Sequence, residues 1–94
     1  MGIKKVLEKN GFNVEKVGGG WIISQFTPAG EDWFIELNRL EKIKEFCENF
    51  DPEEEFEMWI LARGKVSGVP SPSKLWEDQM WKKNLLEEIL LELT

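Results

Sequence analysis

The sequence predicts an α+β fold, with a short N-terminal helix, a three-stranded antiparallel meander and three further helices packed on the sheet. Three observations predict it. Apolar residues alternate with a period of two between about residue 12 and residue 37. From Arg39 the period changes to about 3.6. The segments between the periodic stretches are short and rich in Gly, Pro and Asp. With 94 residues the expectation is a single domain over 1–94, the short helix and meander in 1–38 and the helical part in 39–94.

Each element has a local cause. In "IKKVLEKNGF", Ile3, Val6 and Leu7 share one side of a short helix, and Asn10-Gly11 supplies a stop. A first strand runs from Phe12 to about Val17, and Gly18-Gly19-Gly20 permits a turn at positive φ. "WIISQF" is a second strand, "TPAGED" a turn, and "WFIELN" a third strand with Trp33, Ile35 and Leu37 on one face. A helix from Arg39 to near Asn49 carries an apolar stripe of Leu40, Ile43, Phe46, Cys47 and Phe50, with Glu41, Glu45 and Glu48 opposite. The next helix runs from Pro52 to Ala62 or Arg63 and stops at Gly64. After the loop "KVSGVPSPS", Ser71 is the expected N-cap and Pro72 the first residue of a last helix, whose Leu75, Leu86, Ile89, Leu90 and Leu93 fall in one sector.

Composition narrows function. One cysteine excludes an internal disulfide, the N-terminus has no apolar signal-like core, and no run of about 18 apolar residues is present, which suggests a protein of the cytoplasm with no membrane span. The net charge of −6 disfavours direct nucleic-acid binding, since Lys and Arg contacts to phosphate supply most of that affinity. The excess is local. Residues 41–57 hold eight acids against Lys42 and Lys44, whereas the rest of the chain is balanced.

The run "FDPEEEFEMW" suggests three uses for its carboxylates. Asp51, Pro52 and Glu54 fit a capping box, with Glu53 and Glu54 complementing the positive end of the helix dipole. A metal site is disfavoured, because successive helical residues point about 100° apart and Glu53, Glu54 and Glu55 cannot converge. The third use is an acidic surface of Glu41, Glu45, Glu48, Asp51, Glu53, Glu54, Glu55 and Glu57 that meets a basic protein. Glu41, Glu45 and Glu48 have no capping role and read as like-charge neighbours without a lysine at the favourable spacing.

Motifs that suggest catalysis fail in context. "SPSK" lacks its companion motifs, "RGKVSG" has Val66 where a phosphate-binding loop needs Ser or Thr, and "GGGW" lies between strands. The chain has no histidine and no tyrosine, and Cys47 falls on an apolar stripe with no imidazole to activate it. No enzyme and no cofactor are expected. On the last helix Met80, Trp81 and Leu91 lie off the leucine stripe, which marks either burial on two sides or a contact surface, the latter suggesting a homodimer.

The stretches "NFDPEEEFEMW", "GVPS" and "LWED", between Asn49 and Asp78, resemble a pattern in short proteins of phages and mobile elements of Gram-positive and gut bacteria. That resemblance implies a small acidic inhibitor of a host nucleic-acid-handling or defence protein, of the anti-CRISPR kind, without assigning any residue a role. The leading expectation is therefore a non-enzymatic protein-binding module in a host cytoplasm, its partner a basic surface such as that of a nuclease. The second is a homo-oligomeric structural or regulatory module built on the last helix.

Overall fold

The computed structural model describes residues 2–94 and has the expected α+β architecture. Helix α1 (Ile3–Lys9) ends as its sequence foretells. Gly11 adopts φ 92°, the Gly11 N–H donates to Glu8 O, and the Phe12 N–H donates to Leu7 O at 3.0 Å. Together these form a Schellman closure. Glycine is doubly required there, because a Cβ would also meet Gln25 Oε1 at 2.8 Å.

Strands β1 (Asn13–Val17), β2 (Gly20–Phe26) and β3 (Asp32–Leu37) pair antiparallel in the order β1-β2-β3. A two-residue turn, with Gly18 at φ 56°, joins the first pair. The register sets Val14 opposite Ile23 and Ile23 opposite Ile35, so that Val14, Ile23, Trp33, Ile35 and Leu37 all face the helices. The other face of the sheet exposes Phe26 and Phe34.

The third expected helix boundary shifts slightly. Leu40–Lys42 form a single 3-10 turn and the α-helix proper, α2, spans Ile43–Asn49. Helix α3 spans Pro52–Arg63, and Asp51 Oδ1 accepts the Glu53 N–H at 3.0 Å. That is an N-cap on the second helical residue rather than a capping box, because among the described residues neither the Glu54 N–H bonds the Asp51 side chain nor the Asp51 N–H the Glu54 side chain. Gly64 ends α3 in an ordinary right-handed conformation, and the left-handed residue of the following loop is Gly68, at φ 85°. Helix α4 spans Pro72–Leu93. Ser71 stands at its N-cap position without a capping bond, its Oγ lying 3.5 Å from Ser73 Oγ instead.

Helix α4 is the spine of the molecule. At 22 residues it spans about 33 Å and stretches the chain to 41 × 28 × 20 Å. The radius of gyration is accordingly 13.9 Å, against about 12 Å for a compact chain of this length. Leu86 and Ile89 of α4 join Val6, Leu7, Phe12, Ile23, Trp33, Ile35, Leu37 and Ile43 in one buried cluster. Helix α3 differs from its neighbours in burying no residue of its own. Phe56 meeting Trp76 edge to face, with ring centroids 5.3 Å apart, is its aromatic contact with α4. Among the described residues no helix is long and apolar enough to cross a membrane.

Candidate functional site

The acidic residues separate into three environments. Glu41, Glu45 and Glu48 are exposed along one side of the 3-10 turn and α2. Lys42 Nζ lies 3.3 Å from Glu45 Oε2, so one lysine does offset this strip at the i,i+3 spacing, contrary to the reading from sequence. Both side chains of that pair are more than half exposed and its contribution is small. Asp51, Glu53, Glu54 and Glu57 are exposed at the start of α3, Asp51 serving as the cap. On the same helix Met58 is 64% and Leu61 69% exposed. At helical spacing Glu54, Glu57, Met58 and Leu61 share one outward face.

Glu55 does not belong to that surface. It turns inward to Lys82 of α4, which is 0% exposed and also donates to Glu31 Oε1 at 2.9 Å. The same ammonium lies 5.2 Å from the centroid of the Trp33 ring. Two carboxylates and a π face thus surround the cation, the arrangement a buried charge requires. Gln79 and Asp78, both buried, extend the network. Gln79 Nε2 donates to Pro52 O at 3.3 Å, and Asp78 Oδ1 accepts the Ala29 N–H at 3.1 Å.

Local structure explains how the two ends of this network are placed. Thr27 is buried and closes the β2–β3 turn, its backbone N–H donating to Glu31 O and its Oγ1 accepting the Glu31 N–H at 3.1 Å. Gly30 at φ 92° lets the chain reverse, which holds Ala29 over Asp78 and Glu31 beside Lys82. Pro52 and Glu55 come from the capped first turn of α3. Sequence reasoning missed Asp78, Gln79, Lys82 and Glu31. The available signal was their position, since 78, 79 and 82 continue the same i, i+3, i+4, i+7 rows as Leu75 and Leu86.

The β2–β3 turn and the loop after α3 bound two grooves that share Ala29, Pro70 and Asp78. One, of about 670 Å³, runs past Lys74, Glu77 and Trp81. The other, of about 580 Å³, has Phe34, Trp59, Val66 and Leu75 in its walls and Glu31, Asp32 and Asp78 as its charged residues.

The apolar set named from sequence does not assemble. Trp81 is half-buried and packs edge-on against Trp33, with centroids 6.0 Å apart, which is the two-sided burial of α4. Met80 is half-buried, and Leu91, 75% exposed, lies three helical turns further along. Among the described residues no group of three or more acids or thiols is placed to hold a metal ion.

Cys47 is half-buried rather than sealed, packed against the edge of the core. Burial, and secondarily the carboxylate of Glu48, push its thiol up to about 11. Its alkylation by iodoacetamide is expected to run about a hundredfold slower in the native protein than in the urea-unfolded chain at pH 8, following the thiolate fraction. The native rate should rise about tenfold per pH unit up to the thiol's pKa, and fast native labelling at pH 8 would show an activated cysteine.

No family model, curated protein or solved structure matches the chain.

Proposed function

We propose that the protein is a non-enzymatic binding module that sets its acidic surface on a basic face of another protein. The observation that carries this reading is the outward side of α3, where Glu54 and Glu57 stand beside the exposed Met58 and Leu61. A helix face that presents acidic residues beside exposed apolar anchors suits a groove that is apolar within and basic at its rim. The exposed Glu41 of the 3-10 turn and Glu45 and Glu48 of α2 add field of the same sign, which steers encounter with a basic surface and repels acidic ones. A nucleic-acid-handling protein offers such a surface by trade, and the resemblance to small phage proteins supports an inhibitor of a host protein of that kind.

The test compares wild type with the E41Q/E45Q/E48Q variant and with M58S/L61S in affinity capture from host lysate. The expected result is a basic protein retained by wild type, released as salt rises, and bound at least tenfold more weakly by each variant. Thermal unfolding of the triple variant should be unchanged or slightly raised, since like charges are removed. Equal capture by all three proteins would overturn the reading.

A further inference from the structure

The smaller of the two grooves beside the β2–β3 turn combines features that the acidic helices do not share. Its walls are apolar and aromatic, through Phe34, Trp59, Val66 and Leu75. Its charged lining residues are Glu31, Asp32 and Asp78, with no lysine or arginine among them. Glu31 is engaged by Lys82, but neither Asp32 nor Asp78 has a salt-bridge partner among the described residues.

Asp78 makes the groove more than a charged hollow. The residue is 5% exposed, and its Oδ1 accepts the Ala29 N–H. No described residue bonds Oδ2, yet among the described residues no buried side-chain oxygen or nitrogen is sealed without a partner. Oδ2 therefore opens to the outside, and Asp78 lines both grooves that meet there. Asp78 thus presents one carboxylate oxygen, unbonded to any described residue, beside an apolar wall, where it is free to accept a donor brought by a ligand.

We propose that this groove receives an arginine side chain from the partner's basic surface, its guanidinium on Asp78 and Asp32 and its aliphatic stem along Trp59 and Leu75. The occupant follows from the lining. A divalent ion would find apolar walls and too few oxygens at one point. A lysine ammonium, strongly hydrated, gains less from an aromatic wall than a planar guanidinium, which forks between carboxylate oxygens and stacks on rings. The volume of about 580 Å³ lies within the range of small-ligand sites and holds one such side chain with adjoining backbone. This inference rests on the proposed docking to a basic protein, and it adds a point of specificity on a different element from the α2 strip.

The test is a titration of the full-length, ¹⁵N-labelled protein with a capped tri-arginine peptide, followed by amide and indole shifts. A capped tri-citrulline peptide of the same shape and no charge is the control. The expected result is saturable shifts at the Trp59 indole and at the amides of Gly30, Asp32, Ser67 and Val69, absent with citrulline. D78N, which keeps an acceptor for the Ala29 N–H, and D32N, at an exposed site, should each weaken binding about fivefold or more while retaining the native spectrum. Shifts confined to Glu41, Glu45, Glu48 and the outer side of α3 would overturn the groove while leaving the acidic-surface reading standing. Absence of any shift at millimolar peptide would overturn both.

Discussion

Replacing Lys82 by methionine is expected to lower the unfolding free energy by about 3 kcal/mol, the lower end of the cost of breaking a buried ion pair. Methionine fills most of the space of the lysine stem, so the loss is electrostatic rather than a cavity. It leaves Glu31 and Glu55, 23% and 32% exposed, turned toward one another across the site of the missing ammonium. Their partial access to water lets them relax, which places the expected effect at the lower end. The triple variant K82M/E31Q/E55Q removes all three charges together and should recover most of the stability, because an uncharged polar pair has far less to lose on burial. Urea unfolding followed by tryptophan fluorescence measures both. If K82M unfolds within 1 kcal/mol of wild type, the carboxylates are solvated in the native state and the buried network is not a structural tie.

The second large effect is expected at Trp33. This side chain is 4% exposed and lies 5.3 Å from the Phe12 ring and 6.0 Å from the Trp81 ring, with the Lys82 ammonium over its face. It therefore joins the end of α1, the sheet and α4 at one point. Trp33→Ala should cost about 4 kcal/mol, as large-to-small aromatic substitutions in cores do, a large part of the 5–15 kcal/mol typical of a small domain. Trp33→Phe keeps an aromatic face and should cost about half as much. W33L, which removes the ring face, and K82M should also be non-additive, by roughly 0.5–1 kcal/mol, because each removes one side of the same cation–π contact. Strict additivity in the double-mutant cycle would mean that the ammonium gains nothing from the ring.

The contrast between these residues and the acidic run shows what was legible in the sequence. Period, turn residues and caps are local, so the α1 stop at Asn10-Gly11, the two-residue turn at Gly18 and the Asp51 cap could be read directly. The stripe of α2 also held, with Ile43 fully buried at its centre. The polar network could not be read in that way. Lys82 pairs with Glu55 and Glu31, 27 and 51 residues away, and nothing in the neighbourhood of any of the three announces the others. Asp78, Gln79 and Lys82 carry no local mark of burial, because polar side chains are ordinarily solvated. For the same reason Glu55 was counted with its exposed neighbours, although a step of one residue, about 100° around the helix, separates outward-facing Glu54 from inward-facing Glu55. The grooves lay beyond sequence reasoning altogether, since each is made where the β2–β3 turn meets a loop some 40 residues further along.

The place of α4 in the chain sets the timing of folding during synthesis. The side-chain ties of the β2–β3 turn, through Glu31 and Ala29, and of the start of α3, through Pro52 and Glu55, all end on residues of α4. The ribosome makes α4 after all of them. A nascent chain lacking it can pair the meander and wind short helices, but it has no surface on which to bury Val6, Ile23, Trp33 and Ile43 together. The core is thus completed only once Leu86 and Ile89 have been made, so the protein folds after translation of its spine rather than along with it.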